Sequence, residues 1–382
     1  MKKFYHLSFA VVLVTLAQPV FGQAPTTAES LLTPFVEHSE LAGAVGFVIG
    51  KGGELATVTV GFADIIAKKP MAADSTFWIA SQSKPMTATA VMMLVDEGKI
   101  ALDDPVEKYL PEFKSQMVIA EIDDDHVLLR KPVHPITIRE VLSHVSGLPF
   151  KSAMEEPTLD GLPLNLAVRS YAAAPLATEP GTHFQYSNAG INTAARVLEV
   201  VSGMKYEDFM QRRLFDPLGM NDTTFWPSET QVERLAKSYR PNKTKDNLEE
   251  FGLGQMKWPL TDRTGRFPMP AGGLFSTAED TATFCRMLLN GGELNGKRYI
   301  SKAALAELSR KQTPDSIKNG YGLGFSVGGD SFGHGGAHAT KMDIFPEQGI
   351  AVIWMVQHVG FPGEGKNAHG VFKNWAIQKF GK

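Results

Sequence analysis

Hydrophobic positions along this chain follow two rhythms, one of period 3.6 and one of period two. Leu31, Leu32, Phe35, Val36 and Leu41 recur at helical spacing, so 29–41 reads as a helix. The run 43-GAVGFVIGKGGELATVTVGFAD-64 turns β-rich on both sides of Lys51-Gly52-Gly53, a hairpin signal. The pattern then changes again. The stretch 78-WIASQSKPMTATAVMMLVDEGKI-100 reads as an amphipathic helix stopped at Gly98, and 101-ALDDPVEKYLPEF-113 as a turn-rich connection.

The middle of the chain carries helical signals. In 137-TIREVLSHVSGLP-149, Thr137 and Glu140 have capping-box spacing, and Gly147 and Pro149 end the helix. The segment 189-AGINTAARVLEVVSG-203 is an amphipathic helix closed by Gly203. Beyond it, 276-STAEDTATFCRMLLNGG-292 reads as a capped helix and 371-VFKNWAIQKF-380 as a closing one. Between these, 319-NGYGLGFSV-327, 339-ATKMDIFP-346 and 349-GIAVIWMVQ-357 read as strands. Strands at both ends around a helical middle predict a sheet built from N- and C-terminal parts, with a helical insertion.

Composition changes this picture little: 382 residues with 43% hydrophobic and 21% charged are ordinary for a globular chain. A net charge of −3 and the lack of any Lys/Arg-rich run exclude a nucleic-acid partner. The N-terminus is more telling. Lys2 and Lys3 precede the apolar run 7-LSFAVVLVTLA-17, which is too short for a membrane span, and Val20 and Gly22 suit cleavage near Gln23. Residues 1–22 are therefore expected to be a signal peptide, a retained anchor being the alternative, and the mature chain to be periplasmic or secreted with no membrane span. Cys285 is the only cysteine, so no intrachain disulfide is expected.

The chemistry begins at Ser81-Gln82-Ser83-Lys84, an S-x-x-K motif. Positions i and i+3 share a helix face, and a lysine desolvated near the positive end of the helix dipole should lose its proton readily. Ser83 has the wrong spacing to share that face with Lys84. A second match, Ser202 to Lys205, sits at a helix C-terminus and makes no catalytic sense. Tyr186 and Asn188, in 184-FQYSNAGIN-192, alternate on a loop before a helix and can face one cleft. Such a tyrosine can act as a base and such an asparagine can hold a substrate amide, although a core tyrosine and an N-cap asparagine fit the same pattern. In 332-FGHGGAHAT-340 the glycines allow close backbone approach, and His334 can orient a carbonyl or carboxylate. A metal on His334 and His338 is disfavoured, because the segment is a poor helix without the H-E-x-x-H glutamate. The near P-loop at Gly291–Lys297 follows a helix and ends in Arg298, so it reads as a surface turn. Asp123, Asp124 and Asp125 read as a solvated loop, and there is no G-x-S-x-G.

Taken in order, S-x-x-K at Ser81/Lys84, Y-x-N at Tyr186/Asn188 and the third motif His334-Gly335-Gly336 resemble the serine β-lactamase-related family of class C β-lactamases, D,D-peptidases, D-aminopeptidases and esterases. Further likeness lies in 143-SHVSGLP-149, 179-EPGTHFQYSN-188, 272-GGLFSTAED-280 and 319-NGYGLGF-325. The resemblance implies an α+β fold: an antiparallel sheet flanked by helices, from about 25–98 and 272–382, with an inserted all-helical domain at about 99–271. It implies Ser81 as acylated nucleophile, Lys84 as its proton partner and Tyr186 as general base and then acid. Asn188, His334, Gly335 and Gly336 would bind substrate, and the N–H groups of Ser81 and Ala337 would form the oxyanion hole. No cofactor or metal is implied, and the partner is a small ester, amide or peptide; oligomeric state stays open. The third motif departs from the K-T-G of lactamases, where lysine grips a carboxylate. Histidine holds an anion less firmly and Gly335 offers no hydroxyl, which favours esters or small amides. β-Lactams or D-amino-acid peptides are the alternative substrates, and non-catalytic binding of cell-wall fragments or a partner is the alternative function.

Overall fold

The structure is a computed structural model that describes Met1, residues 27–318 and residues 320–382. The expected signal peptide lies outside the described residues, apart from Met1. Among the described residues no helix is long and apolar enough to cross a membrane.

The central sheet joins the two ends of the chain. Its strands are β1 (Gly43–Gly50), β2 (Gly53–Asp64), β3 (Lys69–Pro70), β4 (Ser326–Gly328), β5 (Ser331–Gly335), β6 (Lys341–Phe345) and β7 (Ile350–Met355). They lie in the order β4-β5-β6-β7-β1-β2-β3, and every pair is antiparallel. The seam is β1 against β7, from Val45 opposite Met355 to Gly50 opposite Ile350. The β1–β2 hairpin turns at Lys51 and Gly52, as the glycines predict.

Every residue of β1 is buried, because both sheet faces are covered. Ala44, Val48, Val352 and Trp354 pack against the terminal helices α1 (Ala28–Glu37) and the closing helix Ala368–Phe380. Gly46 makes that contact possible: a Cβ there would stand 2.5 Å from the Phe372 ring. Val45, Phe47, Ile49, Ile353 and Met355 face the other way, onto a larger core shared with the capped helix Ala278–Leu289. That core continues without a break into the middle of the chain. Its axis is α2 (Ser83–Asp96), packed on a later helix, Asn188–Ser202.

Four expectations change. The helix expected to be ended by Gly147 and Pro149 stops earlier, at Leu142. The helix expected to be amphipathic, α2, is buried on every face from Ser83 to Leu94, because the sheet-side core and the middle segment enclose it. Of the described residues in the stretch expected as a strand over 319–327, only those from Ser326 onward join one, Ser326–Gly328. Before that, Gly324 holds φ +73° with its Cα against α2: a Cβ would sit 2.8 Å from the Lys84 carbonyl oxygen, so the chain bends to pass over the helix start. The middle segment is not all-helical: its helices are joined by long irregular stretches, and it carries two small ladders, Val118–Ile122 with Val127–Arg130 and Tyr239–Pro241 with Leu248–Glu250. In the first, β-branched Val118, Ile119, Ile122 and Val127 flank the Asp123–Asp125 turn, where the Asp123 carboxylate accepts the N–H groups of Asp125 and His126.

Candidate active site

Ser81 lies in a single 3₁₀ turn, Ala80–Gln82, that runs directly into α2. Its N–H therefore belongs to the first turn, where backbone donors have no intrahelical partner. Ala80, just before it, holds φ +47°, a left-handed conformation costing about 1–2 kcal/mol for a residue with a Cβ. The surroundings fix this turn from several sides. Ile79 N–H donates to the Leu274 carbonyl (3.0 Å), Gln357 Nε2 to the Trp78 carbonyl (3.0 Å) and Trp78 Nε1 to the Gly272 carbonyl (2.7 Å). Ser83, set aside on spacing, has a structural task. Its hydroxyl donates to the Ala80 carbonyl (2.7 Å) and accepts the Leu274 N–H (3.2 Å).

Lys84 is fully buried, and its Nζ lies 3.0 Å from Ser81 Oγ. An N–H on the same nitrogen donates to the Ala271 carbonyl at 2.7 Å. Desolvation holds this lysine well below its ordinary value, since no carboxylate accompanies it into the core. A neutral amine that donates to Ala271 keeps one lone pair for the Ser81 hydroxyl. Sequence reasoning missed Ala271, and no side-chain signal could have marked it: the interacting group is a backbone carbonyl 187 positions away.

Tyr186 closes the triangle. Lys84 Nζ stands 4.6 Å from its ring centroid. Burial pushes its phenol up, while the hydrogen bond to Ser81 opposes the shift. Asn188 follows on the next turn of chain, and it is not the N-cap. Ser187 caps the helix by accepting the Gly190 N–H (2.9 Å), and its own hydroxyl donates to the Pro149 carbonyl (2.6 Å). Asn188 is thereby free to line the cavity, where its buried Oδ1 has no hydrogen-bond partner among the described residues.

His334 lies one residue before the end of β5, on the opposite wall. Its Nδ1–H donates to the Gly335 carbonyl (2.6 Å), so Nε2 is an acceptor. Tyr321 donates to that nitrogen at 2.9 Å, with the Tyr186 hydroxyl at 3.5 Å. Burial, with Lys84 nearby, pushes His334 down to about 3, so the ring is neutral at ordinary pH. Tyr321 and His144 are residues the sequence reading quoted inside longer matches without assigning them a part. His144 accepts the Ser187 N–H at Nδ1 (3.2 Å) and lays its ring 4.5 Å from Tyr186 and 4.6 Å from Tyr321. Gly336 and Ala337 complete the wall. Gly336 tolerates no side chain, since a Cβ would lie 2.6 Å from the Ile79 carbonyl, and this close approach brings the end of β5 beside the Ser81 turn. His338 does not converge with His334: its Nδ1 bonds Ser238 (2.7 Å) and its ring packs edge-on to Trp78. Ser202 and Lys205 lie at the far end of the Asn188–Ser202 helix, with Lys205 exposed.

Ser81, Tyr186, Asn188, His334, Gly335, Gly336 and Ala337 thus open onto one cavity of about 760 Å³, with Lys84 beneath its floor. That volume suits a small organic substrate. A hydroxyl beside a buried amine, on a helix start at the junction of an antiparallel sheet and a helical segment, defines a serine hydrolase. The chain belongs to the beta-lactamase family, whose model matches residues 28–372. It is 30% identical over 290 residues to penicillin-binding protein 4 of Amycolatopsis lactamdurans, covering 72% of this chain and 71% of that one. It is 31% identical over 268 residues to the esterase EstB of Burkholderia gladioli, covering 64% and 65%. Among solved structures, EstCE1, a hydrolase with promiscuous acyltransferase activity, superposes with a TM-score of 0.76 over 92% of this chain and 97% of its own, at 23% identity. That last likeness concerns the fold.

Proposed function

We propose that the chain hydrolyses carboxylic esters or small amides through an acyl-enzyme on Ser81. The observation that carries this reading is the buried Lys84 amine, 3.0 Å from Ser81 Oγ and without a carboxylate partner. Neutral Lys84 takes the Ser81 hydroxyl proton as Oγ attacks the substrate carbonyl carbon. The N–H groups of Ser81 and Ala337 hold the resulting oxyanion, each such donor contributing about 3 kcal/mol. Burial disfavours phenolate, so Tyr186 serves first as donor: its proton goes to the leaving oxygen or nitrogen as the bond to carbon breaks. Lys84 then returns the serine's proton to the phenolate. In deacylation a water gives a proton to Lys84, its oxygen attacks the acyl carbon, and Ser81 recovers its proton as it leaves. Asn188 Oδ1 accepts a substrate donor.

The ester preference draws on the relative named as an esterase. The relative named penicillin-binding protein 4 keeps β-lactams and D-alanyl peptides as the second reading. We also propose export, on the strength of Lys2, Lys3 and the apolar run 7–17; N-terminal sequencing of protein from a periplasmic fraction should begin near Gln23. For the chemistry, p-nitrophenyl acetate should give a burst and a fluorophosphonate should label Ser81. Ser81→Ala should lose both, with kcat down by about 10⁴-fold or more. Unchanged turnover in that variant would sink the assignment, and nitrocefin with a D-Ala-D-Ala peptide separates the two substrate readings.

A further inference from the structure

The wall of the Ser81 cavity contains no aspartate or glutamate among the described residues, yet Lys318 and Lys341 both open onto it. This chain has 41 acidic residues against 38 basic ones, so an acid-free, lysine-bearing wall runs against its overall charge. Lys341 stands directly opposite Gly335 in the β5–β6 ladder. Its Nζ lies 2.8 Å from where a Cβ on Gly335 would be, so the lysine uses the space that a side chain there would fill. The only carboxylate on β6, Asp343, lies 3.0 Å from His369 Nε2 and forms no ion pair with Lys341. Next to it, His334 has no N–H to offer a ligand, since Nδ1–H is spent on Gly335 and Nε2 accepts from Tyr321. The anion-holding capacity that the third motif lacks at His334 therefore stands on the neighbouring strand.

Building on the acyl-enzyme reading above, we infer that the site selects esters or amides carrying a carboxylate, held by the Lys341 ammonium with Lys318 as a second charge at the rim. A wall of one sign with low-dielectric surroundings focuses its field into the cleft and raises the local concentration of oppositely charged substrate. Arginine or lysine at position 341 would serve, whereas a neutral side chain would not.

Two matched pairs test this: 3-acetoxybenzoate with its methyl ester, and mono-p-nitrophenyl glutarate with p-nitrophenyl valerate. The first pair puts the anion on the leaving group and the second on the acyl group. Wild type should prefer the anionic member of at least one pair, and the preference should shrink as salt rises. Lys341→Met should cut the anionic-to-neutral ratio of kcat/KM about 5- to 10-fold, through KM more than kcat, and Lys341→Arg should restore it. A wild type that treats both members of both pairs alike, or a ratio unmoved by Lys341→Met, overturns the inference. These failures differ from failure of the hydrolase reading, in which no ester gives a burst or Ser81→Ala stays active.

Discussion

Among the described residues two basic side chains, Lys84 and Arg266, are fully buried, and their surroundings differ. Arg266, in the segment that precedes the cavity wall, is 2% exposed and places Nε 2.6 Å from Asp160 Oδ2, itself 1% exposed. Its other nitrogens donate to the Leu260 carbonyl and to Met256 Sδ. Lys84 is buried as deeply, but its partners are a hydroxyl and a backbone carbonyl, with no negative charge. A guanidinium supplied with a carboxylate keeps its charge in the core. An amine supplied only with dipoles sheds its proton, and what is left is a base. The first arrangement holds the chain in place: Arg266 and Asp160 tie residues 158–160 to the loop leading to Met269, Ala271 and Gly272, which line the cavity. The second leaves Ser81 with a proton acceptor.

Changing each cation should separate these roles. Lys84→Met should lower kcat by about 10²–10⁴-fold, the usual worth of a positioned base, while thermal unfolding shows equal or greater stability because a desolvated amine has been removed. Loss of stability without loss of rate would reverse the contrast. Arg266→Met should cost about 3–5 kcal/mol in denaturant unfolding by stranding Asp160, and Arg266→Met/Asp160→Leu should recover most of it. The protein that remains folded should still give an acyl burst.

The smallest effect, and the most specific, is in the pH dependence. The folded-state value of Lys84 lies below its unfolded one, so between the two the unfolded chain binds a proton that the native chain does not. Stability should therefore rise with pH through that window, towards lysine's unfolded value of about 10.4. Lys84→Met should flatten this slope, whereas Arg266→Met should not, since arginine is charged in both states. The kcat/KM profile should rise with pH as Lys84 loses its proton in the free enzyme and fall only at high pH, where Tyr186 ionises. His334, already neutral above about 3, should add no step near neutrality.

Much of this was legible from local spacing. Ser81 and Lys84 are three apart at a helix start, and an i,i+3 relation needs no knowledge of the rest of the fold. The Thr137–Glu140 capping box, the Gly203 helix stop and the Lys51-Gly52 hairpin are equally short-range, and each is present. Even the sheet's assembly from both chain ends followed from where β-rich runs fell. What escaped the sequence depends on packing partners far along the chain. Whether α2 is half-buried or wholly enclosed depends on what lies against its second face. The capping role at 187 or 188 turns on a hydrogen bond to the Pro149 carbonyl.

The sequence by itself determined that a serine and a lysine share one face at the foot of an apolar helix, and that a tyrosine, an asparagine and a histidine follow in a recognisable order. Only the tertiary structure decided the charge of that lysine and what else faces the serine. A lysine's protonation depends on the water removed from it and the partners supplied instead, here the Ala271 carbonyl. The position of Lys341 depends on the β5–β6 register, which sets it against a glycine and brings its ammonium to the cavity wall. Spacing along a chain carries neither burial nor register, because both are set by segments that meet only after folding.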